Sequence, residues 1–396
     1  MAQTRTITPR KLAAIRALDF VSRALHGVWR PPPPRPGSPK SILVVEPWGI
    51  GDVVLSTALM RSLRASFPGA RITLLAKSHA KELLTHSGLV DEIIVFDFPW
   101  TAFTGKLAPR KYVAKQFQAL IRKLRQSDFD VSFDARRDIR TNVITYLGGV
   151  RRRIGYDFGG GSHLLTDVVP SGDQNEHKVS DWLALLEPLG IDARDCFETK
   201  LVVTEGERAN ARRRIKMAGL STEKMIVAVH PGASQAVRRW RPERFAAVID
   251  ELAADGQTQV VVFEEHEGDS TTIASQRRVP RLYSNLRGLM ALIAECDLLL
   301  CADSGPMHIA NALGVPVTAL FGPQRREWYG PRGETDKVVQ IDEMECRPCF
   351  DACIFATPHC MDGITTSAVL HAVRNQISVV KSRRRQVADV RMTGQI

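Results

Sequence analysis

Residues 41–63 read SILVVEPWGIGDVVLSTALMRSL. Ile42 to Val45 form an uninterrupted aliphatic run, the pattern of a strand buried on both faces of a parallel sheet. Pro47, Gly49 and Gly51 break that run, and from about Val53 to Ser66 apolar residues recur at helical spacing. A strand running through a glycine-flanked loop into a helix is the opening of a βαβ unit, and the loop lies beyond the strand's carboxyl end, where open α/β sheets bind ligands. Gly49 and Gly51 are expected to let the backbone turn sharply and approach a ligand, leaving Asp52 near the helix N-terminus. The spacing G-x-G-D is neither the dinucleotide fingerprint nor a P-loop. Two readings of Asp52 stay open: a helix-capping aspartate, or a base facing a neutral hydroxyl, since a carboxylate at that mouth repels phosphate.

The same unit repeats outward. ARITLLA (70–76), DEIIVFD (91–97) and DVSFDA (130–135) read as further strands, separated by helical stretches such as AKELLTHSG (80–88). A second set begins near residue 225, with strands at MIVAVHP (225–231), TQVVVFEE (258–265), LLLCADS (298–304) and VPVTALFG (315–322). Between them lie the helical patterns RPERFAAVIDELAADG (241–256), LRGLMALIAECD (286–297) and PMHIANALG (306–314). Strands alternating with helices imply parallel pairing and right-handed crossovers, hence two doubly wound α/β halves, expected to face each other across a cleft. The stretch 141–200, rich in Gly, Arg and Asp, yields no clear element boundaries.

Composition agrees with two ordinary cores: 396 residues, 44% hydrophobic and 24% charged. Lys and Arg number 54 against 43 Asp and Glu, a net charge of +11, which favours anionic partners. Much of the excess lies at the two ends and in GGVRRRIGY (148–156), so no continuous nucleic-acid groove is indicated. No run is long and apolar enough to span a membrane and no secretory signal is present, so a cytoplasmic chain is expected. KLAAIRALDFVSRALHGVWR (11–30) reads as one amphipathic helix with a basic polar face, suited either to packing on a domain or to an anionic membrane surface. PPPPRPGSP (31–39) is a stiff extended linker.

In the second half, Gly232, Ser234, Arg238 and Arg239 follow a strand and could donate to a phosphate. Ser304 and Gly305 offer donors where the next helix begins, Pro306 suits its first turn, and Asp303 and His308 share the segment.

Three stretches together, GIGDVVLSTALMRSLRASFPGARITLLA, VHPGAS…RRWRPERF and DSGPMHIANALGVPVTALFGP, resemble glycosyltransferase family 9, the ADP-heptose:lipopolysaccharide heptosyltransferases. The resemblance spans most of 41–375 and implies a GT-B fold. The implied organisation is an N-terminal helix and linker (1–40), an acceptor domain (41–205) and a nucleotide-sugar domain (206–363). A C-terminal helix and basic tail (364–396) would return towards the first domain, with TTSAVLHAVRNQI (365–377) inside that helix. It implies inverting transfer from a nucleotide-diphosphate sugar to a lipopolysaccharide-core or other lipid-linked acceptor, on the inner face of the cell membrane. Asp52 matches the family's catalytic base. Arg238 falls where the family commonly has a lysine contacting the donor diphosphate, and Asp303, Ser304, Gly305, Pro306 and His308 match the diphosphate loop, with Ser234 on the donor side. No catalytic metal or other cofactor is implied. VVFEEHEGD (261–269) departs from the glycine-rich turn of relatives, with Glu267 as the candidate for the nucleotide ribose, and Glu46 stands where relatives often carry a basic residue. A nucleotide-sugar epimerase of the same architecture and a non-catalytic nucleotide-sugar binder remain alternatives.

Cys346, Cys349, Cys353 and Cys360 cluster in CRPCFDACIFATPHC. The spacing permits a structural zinc or an iron–sulfur centre, with unligated thiols the alternative.

Overall fold

A computed structural model describes residues 9–101, 110–157, 160–170, 172, 175–256, 258–264 and 273–392. The chain divides into two compact units, Met1–Lys200 and Leu201–Ile396. Unit 1 begins with helix α1 (Pro9–Val28). Its sheet contains β1 (Ser41–Glu46), β2 (Arg71–Ala76), β3 (Glu92–Val95), β4 (Val131–Asp134), β5 (Arg152–Tyr156) and β6 (Asp167–Val169). The helices between strands are α2 (Ile50–Ser66), α3 (His79–Leu84), α4 (Arg110–Ser127) and α5 (Ile139–Leu147), and α6 (Lys178–Leu183) follows the last strand.

The strand order is β3-β2-β1-β4-β5-β6 with all neighbours parallel. Winding therefore reverses between β1 and β4, and that gap is the topological switch point. Five of the six residues of β1, Ile42 to Glu46, are buried, which is why the run reads as uniformly apolar until the glutamate.

Helix α1 packs within unit 1 on α5 and the turn at Ser162–Leu164. Asp19 accepts the Gly161 amide at 2.9 Å, Ser22 and His163 Nε2 share a hydrogen bond at 3.0 Å, and Trp29 stands edge-on to Tyr146 with centroids 5.2 Å apart. The proline linker is tied down by Arg35, which pairs with Asp128 and Asp130. On α1, Phe20 is 76% exposed and Val21 51%.

Unit 2 opens with α7 (Glu205–Met217), whose N-terminus is closed by a reciprocal Thr204–Glu207 capping box. Its strands are β7 (Met225–His230), β8 (Thr258–Glu264), β9 (Arg281–Tyr283), β10 (Leu298–Ala302), β11 (Val317–Phe321) and β12 (Lys337–Gln340). The helices are α8 (Pro242–Ala254), α9 (Leu286–Ile293), α10 (Gly305–Ala312), α11 (Arg326–Tyr329), α12 (His359–Asp362) and α13 (Thr366–Met392). Strand order β12-β11-β10-β7-β8-β9, again all parallel, repeats the topology of unit 1 and puts its switch point between β7 and β10. Helix α13, expected to return towards the first domain, buries Val369, Val373, Ile377 and Val380 in the core of unit 2 with Phe245, Ile249 and Leu252. Gln376, fully buried on the same face, donates to the Val317 and Thr335 carbonyls at 3.1 and 2.9 Å.

Two successive doubly wound halves are what the alternation of strands and helices required, and the chain has the GT-B fold.

Candidate active site

At the switch point of unit 1, β1 ends in Glu46, a carboxylate with no solvent exposure. It accepts the Trp48 amide at 2.9 Å and pairs with Arg136, which lies two residues past the end of β4. Arg136 also donates from Nη1 to Asp52 Oδ1 at 3.0 Å, and its guanidinium sits 5.4 Å from the centroid of the buried Trp182 ring. The arginine thus bridges a fully buried carboxylate and a partly exposed one. Burial pushes the Glu46 carboxyl up to about 8, with Arg136 pulling down and Asp52 pushing further up. Burial likewise raises Asp134, at the end of β4, to about 6. Lys77, just past β2, donates to the Thr101 carbonyl at 3.1 Å and is lowered by burial, and His79 is lowered by burial and by Lys77.

Asp52 occupies the first turn of α2 and accepts the Gly49 amide at Oδ2, 3.1 Å away. The capping geometry is therefore present. Its other oxygen meets Arg136, and a carboxylate oxygen has lone pairs for more than one donor, so an incoming hydroxyl could still hydrogen-bond there. The side chain is 26% exposed, in contrast to Glu46. Neither Gly49 nor Gly51 uses the left-handed region, and Gly49 lies at φ −91° and ψ −175°.

In unit 2 the corresponding strand ends carry Arg238 and Asp303. Arg238 lies in the short turn Ala236–Arg238 after β7, and Asp303 follows β10 with its side chain 3% exposed. Arg238 donates from Nε and Nη2 to Asp351 at 2.7 and 2.6 Å, and its Nη1 lies 3.2 Å from Asp303 Oδ2. Burial works against this cation, yet the two aspartates hold its pKa above the ordinary arginine value. Ser304 precedes α10 as its N-cap, but its hydroxyl turns to the Ala302 carbonyl at 3.2 Å instead of capping the helix. The first amides of α10 are those of Gly305 and Met307, because Pro306 has none. His308 is buried one turn further on, and Ser234 is exposed on the β7–α8 loop. Arg239 folds back to donate to the Ala233 carbonyl at 2.8 Å. Glu267 lies outside the described residues.

The four clustered cysteines are free thiols, three partly buried and Cys360 buried. They line a small cavity together with Val237, Pro323 and His359. Among the described residues no group of three or more His, Cys, Asp or Glu side chains is arranged to hold a metal ion. Cys360 and Met361 press on Gly322, where an added Cβ would fall 2.4 Å from Met361 Sδ. A larger residue there would require Met361 to shift.

Arg136, Lys77 and Asp351 were missed by sequence reasoning. Arg136 and Lys77 had a usable signal, being cations just past the carboxyl ends of strands flanking β1. Asp351 had none, because it reaches Arg238 across 113 residues of chain.

Residues 117–357, more than half of the chain, match glycosyltransferase family 9 (heptosyltransferase). Lipopolysaccharide heptosyltransferase 2 of Escherichia coli K12 is 27% identical over 318 residues, covering 76% of this chain and 88% of that protein. The crystal structure of a family 9 glycosyl transferase from Veillonella parvula superposes with a TM-score of 0.71 at 22% identity, over 85% of this chain and 97% of the other. The E. coli ADP-heptose lps heptosyltransferase II structure gives a TM-score of 0.68 at 23% identity, over 86% and 99%. The chain belongs to glycosyltransferase family 9, and it is a glycosyltransferase.

Proposed function

We propose that this enzyme transfers a heptose from ADP-heptose to a lipopolysaccharide-core acceptor, with Asp52 as the general base. The observation that carries the reading is the placement of Asp52: a partly exposed carboxylate at a switch point, held by Arg136 and the Gly49 amide. The printed names of relatives supply the substrate class, since lipopolysaccharide heptosyltransferases and an ADP-heptose enzyme share its sequence pattern and fold.

In a single displacement the acceptor hydroxyl oxygen attacks the anomeric carbon, the bond from that carbon to the ADP oxygen breaks, and the hydroxyl proton passes to Asp52. The configuration inverts. ADP leaves as an anion whose new charge is met by the Arg238 guanidinium and the amides at the start of α10. Ser304 and Gly305 belong to that diphosphate loop, Ser234 to its rim, and Asp303 to the support of Arg238.

The acceptor class is anionic and lipid-linked, which gives the basic chain and the exposed Phe20 and Val21 of α1 a purpose. Lying against an anionic bilayer on its cytoplasmic side, α1 would insert these two side chains while neighbouring Arg16 and Arg23 meet lipid headgroups.

The decisive experiment is Asp52→Asn, assayed with ADP-heptose and a heptose-deficient core acceptor. Transfer falls by about 10²–10⁴-fold, the range for loss of a positioned base, while ADP-heptose affinity measured by calorimetry stays within a factor of about three. Retained turnover removes the base assignment.

A further inference from the structure

The cysteine-rich loop has no part in the scheme above, yet it contacts the donor site at one side chain. Asp351 sits between Cys349 and Cys353 and takes two hydrogen bonds from Arg238. We propose that Asp351 is a positioning residue for donor binding, holding Arg238 so that the outer edge of its guanidinium is presented to the diphosphate. The inference rests on the reading of Arg238 as the diphosphate cation.

A guanidinium has five N–H groups in a rigid plane. Asp351 takes the side edge, Nε–H and one Nη2–H, in a bidentate pair at 2.7 and 2.6 Å. Asp303 adds charge 3.2 Å from Nη1. Nη1, which is ion-paired with Asp303, and the second Nη2–H form the end edge, whose parallel donors suit a phosphate. Without Asp351 the long side chain would rotate among many rotamers and bind an anion only after losing that freedom.

The loop is built to deliver this carboxylate. Arg347 Nε donates to the Gly322 carbonyl at 2.9 Å and the Cys349 amide to that of Pro323 at 3.3 Å, fastening the loop beyond β11. Phe350 packs on Trp328 with centroids 5.8 Å apart. Phe350 and Asp351 are both left-handed, at φ 52° and 66°, an arrangement that L residues adopt at a cost and that aims the Asp351 side chain inward.

The rival role is a competitor: with two aspartates on one arginine, Asp351 could occupy the place of the phosphate. The two roles give opposite signs. We would measure binding of ADP and of adenosine to the full chain by calorimetry, for wild type and the Asp351→Ala, Asp351→Glu and Arg238→Ala variants, with KM and kcat for ADP-heptose. Positioning predicts that Asp351→Ala weakens ADP about tenfold, leaves adenosine within twofold, raises KM more than it lowers kcat, and is partly rescued by glutamate. A purely structural lesion weakens both ligands alike, and a competitor's removal tightens ADP; either result overturns the proposal. Arg238→Ala separates the two layers. If it leaves the ADP-to-adenosine ratio intact, the assignment of Arg238 is wrong; if it collapses the ratio while Asp351→Ala does not, the Asp351 proposal alone fails.

Discussion

Glu46 illustrates how much one buried carboxyl can decide. Its carboxyl binds a proton more tightly in the folded chain, up to about 8, than at the ordinary value of 4.5. The stability this contributes is complete below about pH 4.5 and is lost as the pH rises through 8, because the folded state must then hold a buried charge shared with Arg136. Asp134, raised to about 6, has the same sign over a lower window. Glutamine at position 46 fills the same space and does not titrate. Urea midpoints of Glu46→Gln and wild type, compared at pH 6 and pH 9, should therefore diverge in favour of the variant as the pH rises. A constant gap would mean that the ion pair with Arg136, and not burial, governs Glu46. DARRD (134–138) marks a cation just past β4, but its two adjacent arginines look alike until the end of β4 aims Arg136 at the switch point.

At the scale of elements, strands with an aliphatic stretch were legible, the edge strand β3 (EIIV) among them, and the shortest strands were not. Strands β1, β2, β7, β8, β10 and β11 carry aliphatic runs that are largely buried, so composition alone marks them, and β4 (VSFD) is buried throughout although it has only four residues. Strand β5 escaped because it begins RRIGY: Arg153 is buried inside the sheet, with its Nε and Nη1 donating to the Leu164 and Val150 carbonyls at 2.5 Å, and hydrogen bonds replace the apolar signature. Strands β6 and β9 have three residues each and β12 has four, too short to show a period. Helix α1 is read from the sequence as amphipathic, and the two fates suggested for it concern different faces. Asp19 and Ser22 bond to unit 1 while Phe20 and Val21 remain in solvent. This separation makes the membrane reading testable without damage to the fold. The double variant Phe20→Asp, Val21→Asp should keep its thermal midpoint within about 2 °C, since exposed substitutions cost little. It should cosediment markedly less than wild type with vesicles containing anionic phosphatidylglycerol. Equal cosedimentation of both proteins would take α1 out of membrane attachment.

At the scale of the molecule, one topology occurs twice, and each copy leaves a different chemistry at its switch point. Unit 1 presents carboxylates steadied by one arginine, with Lys77 and His79 adjoining; unit 2 presents an arginine steadied by carboxylates beside a helix N-terminus. The inversion suits a proton acceptor in the first case and an anion receptor in the second, because a base must be negative where a hydroxyl arrives and a leaving diphosphate needs positive charge. If the division of labour is real, ADP alone should act on unit 2. At about 100 times its Kd a ligand that binds only the native state stabilises it by about 2.7 kcal/mol, enough to slow local opening where the contacts form. Hydrogen exchange with ADP should then show new protection in 231–241, at the start of α10 and in 346–353, with the amides of 46–52 and 134–140 unchanged. Protection arising instead around Asp52 would reassign the nucleotide to unit 1 and make Arg136, not Arg238, the residue that meets its phosphates.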